Sequence, residues 1–364
     1  MTIKLSDFFT FIFLLNVSLQ IYNNSLLTPS SGIQFVVILC GLLLQLYVMT
    51  FERRLKIYLF QLLLLIFGIL NMIIIKNIQI SQLFHVVFVS SPAALFLVSN
   101  RFNKRMIWMF SIAFLFMILY RTMIYYGSYS FFPRVSRNYI SIFLYWGLFL
   151  NLISKKKSDL PPIILSFIVL IGCLLAIGRS GILTGTILFS SYFYLSLINE
   201  KVWKKLLYII PLVGIVYVLA SNIDVISHTV LSRFIQKDMS VINSNYQRWL
   251  IFEVFIDNIN DNFLNLIFGV PVSAFTNIGI VHTHNSFLQF HLMFGIMPLF
   301  CLIILILRGL FEMKRNKKMV LLIFSIVIII RSLTDIMFPG MLFEIGFFYI
   351  VYYGLVRHQY ESGK

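Results

Sequence analysis

Long apolar runs separated by short polar turns dominate the chain. They cover 8–24, 33–50, 57–75, 82–99, 106–121, 138–153, 160–177, 181–198, 206–221, 286–307, 319–333 and 343–356. A helix needs about 20 mostly apolar residues, roughly 17–25, to cross a bilayer. The pattern therefore predicts an all-α, polytopic membrane protein with about twelve transmembrane helices. Several runs are a little short, 138–153 and 343–356 being the weakest. The stretch 160–198 has to be two helices, because one would be about 58 Å long, nearly twice the hydrocarbon thickness. It divides at Gly178-Arg179-Ser180-Gly181, where two glycines and a charge sit halfway along. The apolar stretch from Phe8 lacks a small-residue cleavage site and is expected to remain as the first helix. No internal repeat or low-complexity linker interrupts the chain, so 1–364 reads as one membrane domain. The polar stretch 222–285 is inserted between the ninth and tenth helices.

Composition strengthens this picture. Of 364 residues, 60% are hydrophobic and only 12% charged, about half the charge of a soluble domain. The formal net charge of +16 would point to nucleic acid in a soluble protein, but here topology explains it, since Lys and Arg accumulate in cytoplasmic loops. With both ends in the cytoplasm, every second loop is basic: Arg53, Arg54 and Lys56; Arg101, Lys104 and Arg105; Lys155 to Lys157; Lys201, Lys204 and Lys205; Arg308 to Lys318. The cations left on the outer side are mostly arginines: Arg121, Arg134, Arg137, Arg179, Arg233, Arg248 and Arg331, against Lys76 and Lys237. They work against topology, and a guanidinium matches phosphate oxygens in a way an ammonium does not. An anionic ligand on the outer face accounts for them; helix-end snorkelling, or pairing with acids such as Asp335, is the plainer explanation. Cys40, Cys173 and Cys301 lie in apolar runs with neither disulfide nor zinc spacing.

Three polar clusters interrupt the pattern on that side. Gly178-Arg179-Ser180-Gly181 lies at the junction of two helices, where glycine permits close approach of backbone or ligand. Tyr246-Gln247-Arg248-Trp249 opens an expected amphipathic helix, Ser244 to Phe263, with Trp249, Phe252, Ile256, Ile259 and Phe263 on one stripe suited to the membrane interface. An Arg in the first turn of that helix sits at the positive end of the dipole, which calls for a nearby anion. His282-Thr283-His284-Asn285-Ser286 runs into an apolar helix ending at Gly295. At a helix N-terminus His284 is favoured neutral, as a proton acceptor suited to general-base chemistry. His291 is seven residues on and on the same helical face, but no Cys or carboxylate completes a zinc shell with these histidines.

Arg179-Ser180-Gly181 at a helix start, Arg248-Trp249 in a large outer loop, and His284-Asn285-Ser286-Phe287-Leu288 followed by Gly295 resemble the O-antigen polymerase (Wzy-type) and O-antigen ligase superfamily. Gly269 in Phe268-Gly269-Val270 resembles that family's glycine turn, although Pro271 departs from it. The resemblance covers about 178–295, with the helix count extending it. It implies an enzyme of the bacterial cytoplasmic membrane that transfers a glycan from an undecaprenyl-diphosphate donor to a hydroxyl of a second lipid-linked glycan. The site would face outside and use no metal or other cofactor. His284 would activate the acceptor, Arg179 and Arg248 would hold the diphosphate, Arg137 and Arg331 would support them, and Ser180, Asn285, His282 and Tyr246 would complete the site. Arg331 also has Asp335 four residues on, well placed for an ion pair. Expected partners are the lipid-linked oligosaccharides, membrane lipid, a chain-length regulator and a flippase; nucleic acid is not among them.

Two absences agree with this reading. No Asp-x-Asp occurs for a metal-bound nucleotide sugar, and the first outer loop, Tyr22 to Gly32, has no acid. Two alternatives stay open: a ligase that uses the same donor chemistry, and a flippase or other transporter of lipid-linked oligosaccharide. A carrier should place charges or broken helices at mid-membrane and show repeated halves.

Overall fold

The computed structural model describes residues 4–25, 28, 30–52, 55–124, 137–154, 162–176, 178–199, 239–277, 283–337 and 343–356. All regular structure among them is helical. Seven helices are long and apolar enough to cross a membrane. They are α1 (Leu5–Ser25), α2 (Ser31–Phe51), α3 (Leu55–Ile74), α4 (Ile80–Val98), α5 (Lys104–Ile124), α8 (Arg179–Asn199) and α13 (Ile296–Arg315). Four shorter apolar helices accompany them: α6 (Arg137–Ser154), α7 (Pro162–Ala176), α14 (Met319–Ser332) and α15 (Glu344–Val356). The remaining elements are α9 (Met239–Asp261), α10 (Phe263–Phe268), α11 (Val272–Thr276) and α12 (Ser286–Phe294). Every expected run except 206–221, which lies outside the described residues, falls on a helix.

The outward faces identify the solvent. Leu39, Leu42, Leu46 and Met49 on α2, and Phe300, Ile303, Ile304, Leu307 and Phe311 on α13, recur at helical spacing and are all exposed. Patches of this size are untenable in water, whereas lipid covers them at no cost. The interior, largely apolar, also carries hydrogen-bonded polar groups. Asn16 Nδ2 donates to Val37 O (2.9 Å), Gln61 Nε2 to Ser91 Oγ (2.7 Å), and Ser91 meets the Tyr352 hydroxyl. Such bonds hold helices together where no hydrophobic force acts between them. The chain is membrane-embedded, with α15 as the most enclosed helix: Glu344, Phe347, Phe348, Ile350, Val351 and Tyr352 are all buried.

One expected helix is not continuous. The apolar run 286–307 is divided by Gly295 into the nine-residue half-helix α12 and the span α13. Gly295 has φ +75°, and a Cβ there would lie 1.8 Å from Ile267 O. Gly269 behaves alike, with φ +112° and Leu292 O 2.4 Å from a Cβ position. The two glycines let the 267–270 turn and the end of α12 cross backbone on backbone, a contact that any side chain would block. Asparagines of the α3 end lock this crossing: Asn71 donates to Leu292 O (2.9 Å), and Asn77 donates to Val270 O (2.7 Å) and Leu292 O (2.9 Å) while accepting from Val272 N (2.7 Å). Buried carbonyls freed by a broken helix thus find donors, as a membrane interior requires.

Candidate functional site

Two of the three polar clusters meet at one junction. Arg179 opens α8, and Ser180 Oγ donates to Asp335 Oδ2 (3.0 Å) in the turn after α14. Arg331, fully buried near the end of α14, forms an ion pair with the same carboxylate oxygen and donates to Ser141 Oγ (3.3 Å) on α6. Ser286, the first residue of α12, donates to Asp335 O (2.9 Å) and accepts from Met337 N (2.7 Å). Asp335 therefore ties the Arg-Ser-Gly helix start to the His-Asn-Ser helix start. Gly181 permits the approach, since a Cβ there would lie 2.7 Å from Ser141 Cβ. Tyr145 braces the same turn by donating to Gly181 O (2.9 Å).

The start of α12 is built as an N-cap. Asn285 Oδ1 accepts from Phe287 N (2.9 Å) and Leu288 N (3.1 Å), satisfying two donors that the first turn would otherwise leave open. His284 precedes this cap, exposed, with φ +51°. It is thus held outside the helix, two residues before Ser286 of the Asp335 junction. His291 does not share a face with it. His291 is buried inside α12, its Nε2 donating to Leu266 O (3.0 Å) and its ring edge-on to Phe255 at 5.0 Å. Its place is in packing.

The third cluster needs correction in its local geometry. The helix that carries it begins at Met239, five residues before the expected start, so Arg248 is mid-helix and not in the first turn. The dipole argument for an anion beside Arg248 therefore falls, and its charge and exposure remain. Phe263 belongs to α10, beyond the cap at Asn262. α9 has two apolar stripes. Ile251, with Leu250, Val254, Phe255 and Ile259, packs in one cluster with Val270, Phe275, Leu288 and Leu292. Of the interfacial stripe Trp249 is 77% exposed and Phe252 and Ile256 are also open, while Ile259 turns to the packed cluster. So α9 lies over α12, with Tyr246 and Arg248 exposed near its middle. Arg137 opens α6 one turn before Ser141, which places its backbone at the same end of the bundle. His282 lies outside the described residues.

A second polar cluster was not singled out from the sequence. Fully buried Glu344, at the start of α15, accepts from Ser90 Oγ (2.9 Å), and His85 Nδ1 lies 3.6 Å from the same oxygen. His85 Nε2 meets Gln20 Oε1 (3.2 Å), and Gln20 donates to Asn16 (2.5 Å). Val86–Ser90 is a π-helical turn inside α4, a local widening that recurs at functional sites. The one sequence signal was an acid and a histidine inside or beside apolar runs. Among the described residues no group of three or more His, Cys, Asp and Glu is arranged to hold a metal ion. Comparison with protein-family models, curated proteins and solved structures finds no match for this chain.

Proposed function

We propose that the chain is a metal-independent glycan polymerase that works on undecaprenyl-diphosphate-linked oligosaccharides at the outer face of the bacterial cytoplasmic membrane. In this reading it crosses the membrane twelve times with both ends in the cytoplasm, and 222–285 forms the outer loop. A hydroxyl of one lipid-linked repeat unit attacks the anomeric carbon of the donor glycan. The C–O bond to the diphosphate breaks, undecaprenyl diphosphate leaves with the bonding electrons, and His284 accepts the hydroxyl proton. Arg179 and Arg248, with Arg137, neutralise the departing diphosphate without a metal. Arg331, committed to Asp335 and Ser141, supports the site from behind. The carrying observation is the Asp335 junction, which joins Ser180 to Ser286 and so brings together the two motif-bearing helix starts from opposite ends of a long sequence interval.

The test uses the purified full chain with a synthetic undecaprenyl-diphosphate oligosaccharide, reading released undecaprenyl diphosphate and the glycan ladder. The wild type should yield both, and His284→Ala should lower the rate about 10²- to 10⁴-fold with an unchanged unfolding temperature. An unaltered rate in that variant removes His284 from the mechanism. Transfer to a non-glycan lipid acceptor without a ladder would assign a ligase. A carrier is the second reading, favoured by one observation: Glu344 and His85 lie within the bundle, where carriers place ionisable groups. Movement of the lipid-linked glycan across vesicles without release of diphosphate would select it.

A further inference from the structure

The end of the bundle remote from the Asp335 junction contains a cavity of about 770 Å³ between the α4–α5 turn, the α13–α14 turn and the start of α7. Four cations line it: Arg101, Lys104, Lys317 and Lys318. Among the described residues no carboxylate does. The nearest acid in sequence among the described residues, Glu312, is engaged by Arg315 at 2.8 Å. Apart from Ser99 and Asn100 the rest of the described wall is apolar or aromatic, including Leu152, Leu321, Tyr353 and Val356. A soluble anion would use the cations and leave that wall wet. An amphiphile with a phosphate head and hydrocarbon tails uses both.

Topology alone accounts for basic loops but not for their convergence on a half-apolar cavity. Details of the turns strengthen the case. Arg101 lies on the Phe51 ring, 4.1 Å from its centroid, and its carbonyl accepts from the Tyr47 hydroxyl (3.3 Å), so this exposed cation is held in place beside the cavity. Lys317 occupies a left-handed turn with φ +54°, a conformation that glycine would adopt more cheaply. Lys104 and Met319, the first residues of α5 and α14, also face the cavity, so the positive ends of two helix dipoles add to the four side chains.

We propose that this cavity binds an anionic glycerophospholipid, its phosphate held by Lys317, Lys318, Arg101 and Lys104 and its acyl chains against the apolar wall. This inference requires only that the chain is membrane-embedded and is independent of the polymerase reading. The probe is the purified full chain equilibrated with mixed phosphatidylglycerol and phosphatidylcholine micelles, with bound lipid counted by native mass spectrometry. The wild type should retain phosphatidylglycerol selectively. The double variant Lys317→Gln/Lys318→Gln should weaken that retention about 30-fold, from roughly 5-fold for each cation near a lipid phosphate. Lys314→Gln, one turn away and outside the cavity, should match the wild type. If the double variant is poorly folded, the wild type alone decides, because retained phosphatidylglycerol must fall as salt rises. Equal retention of phosphatidylcholine, or full retention by a folded double variant, overturns the proposal. Displacement of phosphatidylglycerol by millimolar inorganic phosphate would show a headgroup site without a lipid pocket, which also overturns it.

Discussion

Two charge clusters, one at each end of this bundle, are held in opposite ways. At one end Arg331, Asp335 and Glu344 are buried, each held by a named neighbour. At the other, Arg101, Lys317 and Lys318 are exposed around an open cavity with no carboxylate among the described residues of its wall. Burial explains the difference. A charge removed from water is tolerated only with a partner, and the partner then dominates its behaviour. An exposed cation keeps its hydration and its availability for a ligand. Enclosed charges therefore build the fold, and open ones are the better places to look for binding.

The largest effect that can break this comparison lies at the enclosed end. Arg331→Met leaves Asp335 buried without its cation and should cost about 3–5 kcal/mol, seen as a large fall in unfolding temperature of the purified protein. Arg331→Met/Asp335→Leu should regain most of that loss, and a double variant as unstable as the single would mean the pair is not the relevant contact. Next comes the crossing beneath α12. Gly295→Ala puts a Cβ against Ile267 O and should cost about 3 kcal/mol; an unchanged unfolding temperature would mean the crossing is looser than described. The smallest effect sharpens the site itself. Asn285→Ala removes the N-cap and should cost about 1 kcal/mol, while Asn285→Asp should keep most of it. If turnover falls with Asn285→Asp although stability is kept, Asn285 contacts substrate as well as capping.

Much of the fold was legible because hydropathy needs only composition over a window of one membrane thickness. The break between α7 and α8 was legible for the same reason, since glycines and a charge interrupt an otherwise overlong run. The break at Gly295 was not, because the residues on both sides stay apolar and only the proximity of Ile267 O requires glycine there. The boundary of α9 was misplaced because its regular stripe starts at Trp249, ten residues after the helix itself begins. Its packed face, around Ile251, was not singled out, because the helix carries two apolar stripes and periodicity cannot rank them. In the site, the residue clusters and the Arg331–Asp335 pair were visible from spacing. Their union through Ser180, Ser286 and Ser141 was not, nor was the Glu344–His85 contact, because each joins residues far apart in the chain.

From its residues alone, then, this chain is determined to be helical and membrane-embedded, because apolar length and sparse charge have no other stable outcome. Which charges are enclosed and which stay open, which stripe of α9 packs, and which helix starts share a carboxylate were decided by tertiary structure. Those outcomes depend on backbone approach and desolvation between segments tens to hundreds of residues apart, and local patterns carry no record of either.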